Sequence, residues 1–431
     1  MRDLSSMKLK GGRSMNDQHL AHPQGRSSHT LKTSEQRNQD FVSTTKVIKQ
    51  KQFAEFFSGI GLMRLGLENE GWSVAFANDI DDQKVRMYKA HFGEDLGQMV
   101  QGDIHEISAA LIPNVELATA SFPCNDLSLA GSRNGLSGQH SSAFWGFIKI
   151  IEDMNERRPP MVLIENVPGF LTSHDGTDFK NAMRALNGLG YSVDAFMLDA
   201  AYFVPQSRQR LFVVGRRESD GDNSPALIFA ESVLRPRALT DFILTNVDIR
   251  WRIRNLPSPP TRIRKNLTSI LEQFPPSAPE WWAPERAQYL LNQMSARHRE
   301  IAEAMINGTQ WSYGTVFRRV RKSKSMAELR VDGLAGCLRT PRGGSGRQIL
   351  FKAGKGQYFA RLLTPRECAR LMGADDYRIE ARSNQALFGF GDAVCVPVIR
   401  WIAKNYLNPI FDELEPDLSE HLHGKKRPAY A

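Results

Sequence analysis

At 431 residues the chain is long enough for two or three domains and for a core that needs no disulfide staples. Its 41% hydrophobic and 24% charged content is that of a soluble globular protein. No apolar run nears ~18 residues, no N-terminal apolar stretch leads to a cleavage site, and the four cysteines form no CxxC pair; these features argue against a membrane span, secretion and a cysteine metal site, and a cytoplasmic setting is expected.

Residues 1–45 are rich in Ser, Gln, His, Lys and Arg and read as a flexible arm; an ordered domain starts near Val47. Residues 53–57 are apolar and strand-like, until Gly59 and Gly61 break the run. Leu62, Leu65 and Leu67 follow in helical register. A second strand over 72–77 ends at Asn78-Asp79, and 82–92 reads as a helix. The short apolar run 117–121 leads to Pro123-Cys124, and 144–154 has helical spacing. Residues 161–165 form a continuous apolar strand ending at Glu165-Asn166. A helix over 178–189 and strands over 192–198 and 211–214 complete the series. Alternating strands and helices predict a doubly wound α/β domain, in which ligands bind at the carboxyl ends of strands.

The pattern stops near 235. Prolines cluster at 257, 259, 260, 275, 276, 279 and 284 around Trp281 and Trp282, and Gly343, Gly344 and Gly346 lie among Arg339, Arg342 and Arg347. This reads as a separate, smaller, loop-rich module. Helical character returns at Thr364 and again over 394–403.

The net charge of +9 leaves nucleic acid, acidic partners and plain solubility open until it is mapped. Residues 1–50 carry +5 and residues 250–360 carry +13, so the remainder is acidic at −9. A basic segment beside an ordinary domain is the footprint of a nucleic-acid-contacting module; the blander reading is a solvated basic face.

Four chemical features lie at or near strand ends. Ser58-Gly59-Ile60-Gly61 follows a strand and opens a helix, so its backbone can turn tightly and approach a ligand. Some 20 residues on, Asp79 can accept hydrogen bonds from ribose hydroxyls, and Asp103 is a second acid. The dinucleotide fingerprint is incomplete and no basic residue opens the helix, so an adenosyl ligand without phosphates fits better than a dinucleotide. Cys124, at the mouth of its strand, can be a nucleophile if its thiolate is favoured. Glu165 ends another strand, where a carboxyl can donate a proton. Arg208 and Arg210, two apart, can meet an oxygen or a phosphate. Each feature alone reads equally as a structural turn, a core thiol or an ordinary charged strand end.

In order and approximate spacing over residues 53–407, the set resembles the bacterial C5-cytosine-specific DNA methyltransferases of restriction-modification type. Residues 57–61 match the motif for S-adenosyl-L-methionine, Asp79 the ribose acid, Asp103 the acid near the adenine amino group, Pro123-Cys124 the catalytic pair, Glu165-Asn166-Val167 the Glu-Asn-Val motif, and Gln206, Arg208 and Arg210 the Gln-x-Arg-x-Arg motif. Residues 361–373 and 385–397 match the last two blocks. The resemblance implies a methyltransferase fold of Rossmann-like type, with Phe57, Gly59, Gly61, Asp79, Ile80, Asp103, Ile104, Pro123, Asp392 and Ala393 at the methyl donor, which becomes S-adenosyl-L-homocysteine. It implies Cys124, Glu165, Arg208 and Arg210 as the catalytic set, no metal, and double-stranded DNA as substrate. Arg339, Arg342, Arg347, Asn125 and Ser128 are the expected DNA contacts. A cognate restriction endonuclease is the implied partner, and a monomer is expected.

The expected organisation is an arm (1–48), a first catalytic part (49–235), a target-recognition module (236–360), a second catalytic part that folds back (361–410) and a tail (411–431). The sequence departs from the family pattern at Asn125, where Gln is usual, at His140-Ser141 in place of Arg-Gly, and at Asp392, where Asn is usual. Three rival readings are an RNA cytosine methyltransferase, a catalytically silent DNA-binding regulator, and a nicotinamide-linked oxidoreductase. The long basic module, the intact Cys124 and Glu165, and the incomplete glycine fingerprint argue against them in turn.

Overall fold

Strand β1 (Gln52–Phe56) is buried at four of its five residues, as a strand covered on both faces must be. The computed structural model describes residues 50–93, 97–123, 142–217, 231–261, 266–321, 323–340 and 346–414. Helix α1 (Leu62–Glu68), strand β2 (Ser73–Asp79), helix α2 (Asp82–Phe92) and strands β3 (Met99–Gln101) and β4 (Leu117–Ala120) follow. Helix α3 (Ser142–Asp153), β5 (Met161–Asn166), α4 (Thr177–Gly188), β6 (Tyr191–Asp199) and β7 (Gln209–Arg217) complete one seven-stranded sheet, ordered β3-β2-β1-β4-β5-β7-β6.

Strands β1 to β5 pair in parallel, whereas β7 runs antiparallel between β5 and β6. Side chains alternate between two cores. Phe53, Leu117, Leu163 and Phe212 face α1 on one side. Ala54, Phe56, Ala118 and Ile164 face α3 and α4 on the other. This is the doubly wound architecture that the alternating pattern predicts.

The segment after 235 is richer in regular structure than its prolines and glycines suggest. It holds α5 (Arg237–Thr245), α6 (Pro284–Asn292), α7 (Ala296–Ile306) and strands β8 (Ser312–Arg321), β9 (Lys324–Arg330), β10 (Ile349–Gly354) and β11 (Gln357–Leu362). These strands form an antiparallel sheet, ordered β11-β10-β8-β9, over a core of Leu290, Leu291, Val316, Leu329 and Phe351. The sequence reading misses this sheet because β8 buries only residues 314–316 of its ten and carries Arg318, Arg319 and Arg321 along the rest. An antiparallel ribbon with a solvated face lacks the apolar run that marks a buried strand. Leu239 and Ile243 of α5, with Ile249 and Ile253, pack into the core beneath β5–β7.

Helices α8 (Pro365–Leu371), α9 (Ser383–Asp392) and α10 (Val396–Ile402) return the chain to the first sheet. Helix α10 lies against α1, where a Cβ on Gly66 would come within 2.5 Å of Ile399 Cβ; only glycine permits that approach. Tyr377 donates its hydroxyl to the carbonyls of Ile60 (2.8 Å) and Met87 (2.9 Å), tying the returning segment to the glycine loop. The helical stretch Ser383–Leu414 is long and apolar enough to cross a membrane, but Phe390, Val398, Ile399, Ile402 and Leu407 are buried in the protein core.

Candidate active site

Strand order reverses at β1, whose neighbours are β2 and β4, so a crevice opens at the carboxyl ends of β1 and β4. The glycine loop and Pro123 both lie there. In the loop Phe57 and Gly59 have φ of 55° and 58°, and Gly61 caps α1 at φ 80°. The Gly59 amide donates to Asp79 Oδ2 (2.7 Å) and the Asp81 amide to Asp79 Oδ1 (2.8 Å). Burial raises the Asp79 carboxyl from its usual range against the pull of Lys84 and these two amides.

Space lies open beside this loop. Nothing stands within 4 Å of where a Cβ on Gly59 would sit, the buried Ser58 hydroxyl has no hydrogen-bond partner, and Ile80 is 64% exposed just past β2. Asp103 caps the turn Ile104–Glu106 by accepting from the His105 amide (2.9 Å), with Ile104 buried beneath. A buried carboxylate at the end of β2, an exposed apolar side chain and an open glycine loop fit an adenosyl group. Among the described residues no group of three or more His, Cys, Asp or Glu could hold a metal ion.

On the other side of β4, Glu165 is 6% exposed and pairs with Arg210, whose Nε lies 3.0 Å from Oε1. The antiparallel course of β7 is what brings them together. Its register sets Leu211 beside Asn166, so the start of β7 meets the end of β5. Asn166 donates to the Phe122 carbonyl (3.3 Å) and so fixes the chain as it enters exposed Pro123. Cys124, Asn125, Ser128, His140, Ser141 and Arg342 lie outside the described residues.

Of the two partners the sequence allows Arg208, an oxygen or a phosphate, the fold supplies oxygens. Arg208 is 3% exposed and precedes β7, and its guanidinium donates to the carbonyls of Leu338 (2.8 Å), Gly391 (3.2 Å) and Ala393 (2.6 Å). A side chain so enclosed joins the returning helices to the segment before 340 and cannot reach a phosphate in solvent. Gln206, fully buried, does similar work: it donates to the Leu371 carbonyl (2.8 Å) and accepts from the Leu338 amide (3.0 Å).

Four residues here escaped the sequence reading as site residues. Cys337 lies 3.4 Å from Arg208 Nη1 and 3.8 Å from Arg210 Nη2. Burial works to raise its thiol, but Arg208, Arg210 and Arg339 together hold it below the ordinary range. Lys84 Nζ meets Asp392 Oδ2 at 2.8 Å, and Thr340 donates its hydroxyl to Asp392 Oδ1. No local pattern marks Cys337, Lys84 or Thr340, because their partners are remote in sequence. Glu55 has a local signal that the sequence reading passed over, a lone acid inside an apolar strand. Of the expected base-reading arginines, Arg339 is exposed and Arg347 half-buried.

Glu55 is 1% exposed, accepts from the Arg64 amide (3.2 Å) and leaves Oε2 unpartnered. Burial pushes its carboxyl up to about 8 from the ordinary 4.5. A carboxyl raised in the folded state favours folding most below pH 4.5, and that contribution is lost as pH climbs to about 8. At about 1.36 kcal/mol per unit the loss is on the order of 5 kcal/mol. Glu55→Gln is expected to flatten the fall in stability between these pH values, measured as urea midpoints at acid and mildly alkaline pH. Equal pH slopes in both proteins would contradict this.

The sheet order, with a glycine loop and an acid at the ends of the first two strands, defines an α/β methyltransferase fold. A solved structure of this class, the S. pombe Dnmt2 methyltransferase, aligns with a TM-score of 0.55 at 17% identity, covering 84% of this chain and 99% of that one. The family model for C-5 cytosine-specific DNA methylases matches residues 51–408, and the chain belongs to that family. It is a DNA (cytosine-5-)-methyltransferase, which transfers a methyl group to cytosine in DNA. Type II methyltransferase M.DsaV of Dactylococcopsis salina is 31% identical over 84% of this chain and 87% of its own length. Type II methyltransferase M.HhaI of Haemophilus parahaemolyticus is 25% identical over 83% of this chain and 96% of its own.

Proposed function

We propose that the protein methylates C5 of a cytosine flipped out of a specific double-stranded DNA sequence, through a covalent bond between Cys124 and C6. The observation that carries this reading is the buried Glu165–Arg210 pair beside the point where Asn166 steers the chain into Pro123. S-adenosyl-L-methionine would supply an electrophilic methyl group, held by residues 57–61, Asp79, Ile80, Asp103 and the segment around Asp392 and Ala393.

Cytosine C5 is a poor nucleophile until the ring is activated. The Cys124 thiolate adds to C6, and the displaced electron pair moves toward N3 and O2. Glu165 gives a proton to N3, and Arg210 steadies O2, so charge is met where it develops. C5 then takes up the methyl group, and the electron pair of the broken sulfur–methyl bond would leave with S-adenosyl-L-homocysteine. Loss of the C5 proton to a base re-forms the double bond as the C6–S bond breaks, its electron pair returns to sulfur, and the N3 proton goes back to Glu165. The stacked base is out of reach in a duplex, so flipping precedes attack at a cost of a few kcal/mol. Arg339, Arg342 and Arg347 lie on a basic, glycine-rich segment suited to a groove, where a guanidinium can pair with guanine. Since relatives carry the name Type II methyltransferase, a cognate restriction endonuclease is the partner this reading implies.

The test is transfer of labelled methyl groups to duplex DNA and to transfer RNA. Duplex DNA is expected to be labelled, and Cys124→Ser to lower the rate at least roughly a thousandfold. Labelling of transfer RNA alone, or a serine variant near wild-type rate, would overturn the proposal.

A further inference from the structure

Helix α2 opens with a side chain that its position does not favour. Asp81 caps the helix by accepting from the Gln83 and Lys84 amides, and Lys84 lies in the first turn. A cation there opposes the helix dipole, which favours acids at this end. Lys84 is nevertheless mostly buried, with 22% of its side chain exposed, and its ammonium is drawn toward Asp392 at 2.8 Å. Asp79 and Asp81 also face it.

Asp392 is the second anomaly. It closes α9 at a position where the family pattern has an uncharged asparagine. Both of its oxygens are engaged, Oδ2 by Lys84 and Oδ1 by the Thr340 hydroxyl. Burial would raise this carboxyl, but Lys84 and Thr340 hold it below the ordinary range. The ion pair therefore joins three separate stretches of chain, from α2, the end of α9 and the segment ahead of 341. It stands next to Asp79, whose oxygens define the floor of the glycine loop.

We propose that Lys84 is a positioning residue for the methyl donor: it offsets the carboxylate that Asp392 brings to the site and holds the returning segment over Asp79. This deepens the donor assignment made above and rests on it. An unopposed pair of carboxylates at Asp79 and Asp392 would repel each other and the donor's own α-carboxylate. The lysine and the aspartate thus form one charge pair at the site, and neither is expected to work well alone.

The test is a cycle of variants read by calorimetric binding of S-adenosyl-L-homocysteine, with melting temperatures to confirm folding. Lys84→Ala is expected to weaken binding about tenfold or more, because the Asp392 carboxylate then stands beside Asp79 without its cation. Adding Asp392→Asn to Lys84→Ala, which removes the second charge as well, is expected to recover affinity to within about threefold of wild type. Lys84→Arg keeps the charge and is expected to stay near wild type. In turnover, the Lys84→Ala change is expected in KM for the donor, with kcat held within about twofold. Unchanged affinity in Lys84→Ala, or no recovery in the double variant, overturns the role of Lys84 while leaving the donor assignment standing. If wild-type protein binds no S-adenosyl-L-homocysteine, the donor assignment falls and this inference with it.

Discussion

Glutamine in place of Glu165 is expected to slow methyl transfer about 10²–10⁴-fold, the range typical of losing a positioned general acid. Glutamine has nearly the same shape and can still hydrogen-bond to N3, but it cannot hand over a proton as the ring takes up electrons. The substitution also replaces the carboxyl oxygen that faces the Arg210 guanidinium, 3.0 Å away, with an amide at the end of β5. The loss belongs in kcat, since the proton moves only as the adduct forms; DNA affinity, set mainly by phosphate contacts, is expected to change little. Single-turnover rates with saturating donor would measure it. A Glu165→Gln rate within about threefold of wild type would remove Glu165 from the chemistry and leave it as a partner that orients Arg210.

How much of this was legible follows from where the partners lie. Residues that work through their own strand end, such as Asp79 past β2 and Glu165 at the end of β5, can be read from an apolar run and the polar residue that stops it. Their positions in the crevice follow from a sheet order that the alternation of strands and helices already suggests. The direction of β7 is not written in its apolar residues, because an inner strand reads the same either way. Yet that direction decides that Arg210 meets Glu165 rather than lying at the opposite edge of the sheet. Arg208 shows the same limit: its charge suggested an oxygen or a phosphate, and only the folded chain selects carbonyl oxygens 130 to 185 residues away. The sheet of β8–β11 was hidden by its charge, since a solvated ribbon and a basic loop have similar compositions. Cys337 and Lys84 had no local signal, as each is defined by residues that only the folded chain brings near.

The largest stability effect is expected at the joint between β11 and α8, where Glu367→Ala should cost about 3–5 kcal/mol. Arg361 and Glu367 are 1% and 0% exposed, and the guanidinium meets the carboxylate through two contacts of 2.5 and 2.7 Å. Glu367 also accepts from the Glu272 and Thr364 amides, each at 2.9 Å, and the latter closes the capping box that starts α8. Arg361 lies against the rings of Phe274 and Trp281. Alanine at 367 therefore leaves a buried cation without an anion and two amides without an acceptor. Against a typical total of about 5–15 kcal/mol, that is a large share of the stability. The cost is mostly that of the stranded charge, so Arg361→Met combined with Glu367→Leu is expected to be less damaging than Glu367→Ala alone. Urea unfolding of the three proteins checks both statements. A single-variant loss below about 1 kcal/mol would mean that water reaches the guanidinium once the carboxylate is gone, and a double variant as unstable as the single would assign the cost to the lost cap and amide contacts instead.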